Sequence, residues 1–346
     1  MYALFGCIED IFRLNKFRKR RKDRCMKDNE NKNSNIIWKK PIVVTLVAII
    51  CCALWGSAFP AIKMGYEWFD IPSSASATQI LFAGCRFTLA GLLTVVIGSI
   101  MSKTPLLPKR SSWKKIVILS FFQTSIHYVC FYIGLAHTTG VKSSILNGVN
   151  VFVAILISAL IFRQEKLTGI KMLGSFLGFI GIVLVNLGGS GLDFEFHFKG
   201  EGMILLSTVC YGMSAALIRL FGQNENSVML SGYQFAFGGL VMIVTGILLG
   251  GKLDVWTGKG IAILIYLAFV SAIAYTLWAL LLRYNDVSRV TIYGFFNPVF
   301  GAILSALILK ESGQSFGWKE IIALLLISIG IYMVQKMRWS GTDETN

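Results

Sequence analysis

The chain has 346 residues, of which 55% are apolar and only 15% charged, with a mean hydropathy of +0.65. That balance excludes an ordinary water-soluble domain, in which about a quarter of the residues carry charge. The formal net charge of +15 is read as a topological signal rather than a nucleic-acid footprint, because of where the basic residues lie.

Residues 1–40 are the one sizeable polar piece. Arg13, Lys16, Arg18, Lys19, Arg20, Arg21, Lys22 and Arg24 crowd together, followed by a polar run from Lys27 to Asn35. No continuous apolar core precedes the basic cluster, so the segment does not read as a cleavable signal peptide. It reads as a disordered, topogenic tail. Binding to anionic lipid head groups or, less plausibly, RNA is the alternative, and Met26 offers a second start.

From residue 41 onward, apolar stretches of about 20 residues recur. They fall near 41–63, 79–100, 114–136, 141–162 and 168–188, then near 200–221, 228–250, 259–282, 287–309 and 317–338. Each is long enough to cross about 30 Å of hydrocarbon at 1.5 Å per residue. The expected fold is therefore all-α, with ten transmembrane helices in two halves of five. An odd number of spans per half makes the second half enter the bilayer from the opposite side, giving an inverted repeat.

The halves match in sequence. Trp55-Gly56 followed by Lys63 is echoed by Tyr211-Gly212 followed by Arg219, and Arg86-Phe87 through Leu92 by Gln234-Phe235 through Leu240. Val141, Gly148 and Glu165 fall opposite Val287, Gly294 and Glu311 without a gap. In the tails, the loops and the span ends that flank them, with the N-terminus taken as cytoplasmic, 25 Lys and Arg lie on the cytoplasmic side and 7 on the other, Arg86 completing the 33; without the N-terminal tail the balance is 13 to 7. The positive-inside rule places both termini in the cytoplasm, and the expected location is the plasma (inner) membrane.

Polar groups in hydrocarbon are costly unless partnered or wet, so they form the candidate list for a solute path. Arg86 leads it, either binding a carboxylate or phosphate or tying helix ends together. His127 shares a helix face with Gln123, with Tyr132 on a neighbouring turn; it can bind substrate, shuttle a proton, or bridge helices. Asn147, Asn150, Tyr293 and Asn297 form a further group, and amides of this kind bind solutes or glue helices. Trp55, Tyr211, Tyr275 and Trp278 lie within spans, where packing is the default and a cavity wall the functional reading. Pro60 and Pro298 should kink their helices, and Glu165 and Glu311 are repeat-equivalent structural residues near helix ends.

Absences count too. None of the 18 acidic residues lies in the middle of a span, which argues against a carboxylate proton relay and against the aspartate clusters of membrane prenyltransferases. No P-loop or zinc-protease motif occurs, so neither enzyme activity, nor a cofactor, nor a metal is expected. Cys51, Cys52, Cys85, Cys130 and Cys210 lie in spans, leaving no basis for structural disulfides.

Trp55-Gly56-Ser57-Ala58-Phe59-Pro60-Ala61-Ile62-Lys63, then Arg86-Phe87, then Tyr132-Ile133-Gly134-Leu135-Ala136, resemble the first repeat of EamA-type transporters of the drug/metabolite transporter superfamily. Asn297-Pro298-Val299-Phe300 through Glu311 is similar to the end of the second repeat's fourth helix. The resemblance covers residues 41–338, as repeats 41–188 and 200–338 with a short cytoplasmic tail at 339–346. It implies a central cavity walled by the first four helices of each repeat, and export of small metabolites by alternating access. One departure is Phe152, which stands where the family's proline would fall in the first repeat. The expected substrate is an amino acid or similar small polar metabolite, with drugs or nucleotide-type metabolites, and a non-transporting sensor or assembly factor, as the alternatives. The expected partners are that solute and the bilayer, with no nucleic acid, in a monomer or homodimer.

Overall fold

A computed structural model describes residues 37–72, 74–137, 146–186, 196–309 and 318–336. The basic cluster at 13–24, Val141, Glu311 and the 339–346 tail lie outside the described residues.

Helix α1 spans Pro41–Trp68, with proline at its first position, where no backbone donor is lost, and it runs through Pro60 without a break. Helix α2 spans Ser76–Ser102. Helix α3, Ser112–Leu135, contains a π-turn at Phe121–Ser125. Helix α4 covers Leu146–Ile161, with a second π-turn at Ile157–Ile161, and α5 covers Gly169–Asn186. Helix α6, Phe198–Gly222, opens on a π-turn where the Glu201 carboxylate accepts from the His197 amide at 2.8 Å. Helix α7, Ser227–Leu248, is capped by the Asn226 side chain, which accepts from the amides of Val228 and Met229. Helix α8, Gly258–Tyr284, starts at Thr257, whose hydroxyl accepts from the Gly260 amide. Segment α9 is divided: Val287–Thr291, a 3-10 turn at Ile292–Phe295, then Phe296–Leu309. Helix α10 covers Trp318–Lys336.

Among the described residues six of these, α1, α2, α3, α6, α7 and α8, are long and apolar enough to cross a membrane. The sequence expectation of full-length spans throughout is thus met in part. In the first repeat the described part of the fourth helix, Leu146–Ile161, ends within one residue of its apolar stretch. In the second, the expected kink at Pro298 is preceded by the 3-10 turn that divides α9. The outward faces are apolar in helical steps: Ile42, Leu46 and Ile50 on α1, Leu92, Val96 and Ile100 on α2, Leu240, Val244 and Ile247 on α7 are all exposed. Water would penalise so continuous a surface, whereas hydrocarbon suits it.

The helices pair in a twofold-related pattern: α2 with α7, α5 with α10, α1 with α8 and α9, α6 with α3 and α4. Glycine makes the central crossing possible. A methyl group on Gly84 would sit 2.7 Å from the Ile243 nitrogen and 2.9 Å from the Gly239 oxygen; one on Gly232, its repeat partner, would sit 3.2 Å from both the Val95 nitrogen and the Gly91 oxygen. Gly56 likewise abuts the backbone of Phe300, and Gly212 that of Ala154, so the sequence-matched glycines meet sequence-matched partners.

Polar cross-links tie the connections into two ends. At one, Lys115 Nζ pairs with Glu225 at 2.7 Å, Arg219 with Asp286 at 2.7 Å, and Asn285 Nδ2 donates to the Trp38 carbonyl at 2.9 Å. Glu165 is at the same end, almost wholly buried: it pairs with Lys171 at 2.6 Å and accepts from the Ser288 amide at 3.1 Å and from the Ser288 hydroxyl, which joins the α4–α5 connection to the start of α9. At the other end, Thr257 Oγ1 donates to the Trp68 carbonyl and the Lys252 amide to Thr78 Oγ1.

Candidate functional site

Arg86 sits mid-helix on α2 and is 4% exposed. Its Nε donates to Ser271 Oγ on α8 at 2.9 Å, and its Cζ lies 5.1 Å from the centre of the Phe87 ring. Among the described residues no carboxylate pairs with it, and its terminal nitrogens have no hydrogen-bond partner. A membrane arginine costs on the order of 2.5–3.5 kcal/mol on insertion scales, so a lone one inside the bundle needs compensation from elsewhere.

The residue opposite Arg86 in the second repeat, Gln234, is fully buried, and its Oε1 accepts from Thr124 Oγ1 on α3 at 2.8 Å. Thr124 and Ser271 are as far apart in sequence as Tyr128 and Tyr275, and those two tyrosine hydroxyls are hydrogen-bonded to each other. Phe87 and Phe235, partners in the repeat, stack with centroids 5.4 Å apart and planes 10° from parallel. A local twofold axis therefore passes through this cluster. Each polar crosslink has its counterpart, but only one of the two carries a charge.

Aromatic rings enclose the arginine's surroundings. Trp55 packs edgewise on Tyr275 at 4.9 Å and on Trp278 at 5.0 Å, and its indole nitrogen is buried without a partner. Phe87 lies 4.5 Å from Tyr128, and Phe235 4.8 Å from Tyr275. Tyr66 packs edgewise on Phe82 at 5.7 Å, and the Tyr132 ring lies 6.3 Å from that of Tyr128. On α3, His127 Nδ1 lies 2.9 Å from the Ser207 carbonyl; a carbonyl only accepts, so Nδ1 carries the hydrogen. The His127 ring lies 4.7 Å from Tyr128 and 6.1 Å from Tyr211. The π-turn in α3 holds Gln123, Thr124 and Ser125, all three buried.

Of the residues expected to line a solute path, Trp55, Arg86, His127, Tyr132, Tyr211, Tyr275 and Trp278 are thus linked through rings and hydrogen bonds, and Gln123 is buried on the same helix. Tyr293 is elsewhere: its hydroxyl bonds Thr45 Oγ1 at 2.6 Å, some ten residues before Trp55 and so about 15 Å along α1. Asn147 and Asn150 are half-buried near the start of α4, without a hydrogen bond among the described residues. Asn297 Oδ1 is buried and unpartnered in α9. Glu165 lies outside this cluster, bonded by Lys171 and Ser288, and its equivalent Glu311 is outside the described residues. Ser271, Phe87, Phe235 and Tyr66 escaped the sequence reading. A sign of Ser271 was available, since it shares a helix face with Tyr275 and Trp278 at steps of four and seven.

Comparison with known proteins bears on the whole chain. The model of the EamA-like transporter family matches residues 43–187 and again 198–335. An uncharacterized transporter of Archaeoglobus fulgidus is 26% identical over 87% of this chain and all of its own length. The uncharacterized transporter YvbV of Bacillus subtilis is 24% identical over 73% of this chain and 83% of its own, and a chloroplastic WAT1-related protein of Arabidopsis thaliana is 24% identical over 81% and 66%. A solved crystal structure superposes with a TM-score of 0.69 at 16% identity, over 85% of this chain and 96% of that one, and so shares its fold.

Proposed function

Because the chain belongs to the EamA-like transporter family, we propose that it exports a small polar metabolite, such as an amino acid, by alternating access around the cluster centred on Arg86. The protein is a multi-pass membrane transporter, and none of its relatives' names points to an enzyme. In the proposed arrangement all ten helical segments span or line the bilayer, as two inverted repeats at 41–188 and 200–338. Both termini lie in the cytoplasm, in the plasma (inner) membrane, and the working unit is a monomer or homodimer.

The observation that carries this reading is Arg86, which has no carboxylate partner among the described residues and lies beside the local twofold axis, among rings and hydroxyls from α1, α2, α3, α7 and α8. Helices from both halves meet there, so a relative movement of the halves changes access to that point. The grouping of connections supports inversion: Glu225, Asp286 and Glu165 are cross-linked at one end, Lys252 and Thr257 at the other. Efflux from cells that make the protein, compared with cells that lack it, tests the reading. Export of a drug or nucleotide-type solute alone would redirect the substrate assignment. No difference for any solute, with the protein present in the membrane, would favour a sensor or assembly factor.

A further inference from the structure

Resting on that reading of the site, we propose that its selectivity is set by a single carboxylate on the solute, bound by Arg86, while an amino group contributes little. The charge count supports this. One guanidinium, with Nε engaged by Ser271 and its terminal nitrogens unpartnered, presents a planar pair of donors suited to a carboxylate. A phosphate monoester carries close to two negative charges at neutral pH and would need a second cation. Among the described residues no Lys or second Arg bonds or stacks within the cluster, and the Nδ1 hydrogen of His127 is directed at the Ser207 carbonyl. Among the described residues no carboxylate is bonded within the cluster to receive a primary ammonium. Of the bonded Tyr128 and Tyr275 hydroxyls, one spends its hydrogen on the other, and the remaining hydrogen can be donated to the same anion. The remaining surfaces (Trp55, Phe87, Phe235 and Trp278) suit an apolar body.

Repeat symmetry supplies a variant that should fold. Gln234 fills the position equivalent to Arg86 and is bonded by Thr124, so Arg86→Gln places a glutamine opposite Ser271 in a setting the protein already tolerates. Proteoliposomes containing full-length protein would be loaded with equal amounts of 3-phenylpropanoate, phenylalanine, 2-phenylethylamine and 2-phenylethyl phosphate, which share one body. Release above protein-free vesicles would be followed, along with the shift each solute causes in the protein's melting midpoint. The expected result is release and a midpoint shift for both carboxylates, at least tenfold faster release than for the amine or the phosphate ester. Arg86→Gln should lose that preference without losing its own folding transition. Amine or phosphate release as fast as that of the acids, or an unchanged preference in Arg86→Gln, overturns the carboxylate inference while leaving transport intact. Arg86-dependent midpoint shifts from the acids without release of any solute uphold the anion site but overturn the transport reading. No release and no shift overturns both.

Discussion

At the scale of single residues, the cluster's polar groups stand in pairs, and pairs make non-additive predictions. The Tyr128 and Tyr275 hydroxyls bond each other. Tyr128→Phe and Tyr275→Phe should each lower stability by about 1 kcal/mol, the scale of interhelical polar contacts in membranes. The double variant should lose little more than either single one, since the second hydroxyl has by then lost its partner. Unfolding in detergent measures this, and full additivity would mean that the hydroxyls act independently. Outside the spans, the ammonium of Lys115, and then the hydroxyl of Ser112, hold the Glu225 carboxyl below the usual range of a glutamate. A lowered folded-state pKa stabilises the protein above the unfolded value of about 4.3, and that contribution is lost as pH falls through the folded value. Glu225→Gln should therefore destabilise by about 0.2–1 kcal/mol near neutral pH, and by progressively less in acid. A deficit that stayed constant with pH would assign the effect to packing.

At the scale of elements, the repeat was the most legible feature of the sequence, and the irregular turns the least. Matched glycines in the second and seventh spans, aligned by the Arg86-Phe87 and Gln234-Phe235 motifs, lie face to face in the structure. The π-turns had no such marker. Phe121–Ser125 contains neither proline nor glycine, and a wider turn within a helix buried on several sides leaves no trace in an apolar pattern. Position in a repeat shows which residues correspond but not what they touch, and the bond of the Tyr293 hydroxyl to Thr45 across α1 and α9 had no sign in the sequence. The glycine crossing yields a quantitative contrast. Gly84→Leu and Gly232→Leu force backbone apart at equivalent places and should each cost more than the about 1–3 kcal/mol of ordinary overpacking. Gly169→Leu, which meets nothing within 4 Å, should be close to neutral. Equal yields of folded protein from all three variants would contradict the close α2–α7 approach.

At the scale of the whole molecule, inversion is a statement about sides. Lys103 follows α2 and Lys252 follows α7, both exposed and at corresponding places in the two halves. In a cysteine-free background, a membrane-impermeant thiol reagent added to intact cells should label Lys252→Cys and spare Lys103→Cys; labelling of both would refute the inverted arrangement. Glu165 is a poor reporter for the same question, because its carboxylate is engaged by Lys171 and Ser288 inside the bundle. The missing mid-span carboxylate also has a bearing here: facilitation or exchange, rather than proton coupling through His127, is the expected mode. Whether solute passes the Arg86 cluster at all is tested most directly by profiling the medium of cells making equal amounts of wild-type protein or Arg86→Gln. The account predicts that carboxylate-bearing metabolites accumulate outside with the wild type and fall to the level of protein-free cells with the variant. Equal accumulation from both, at matched abundance in the membrane, would contradict it.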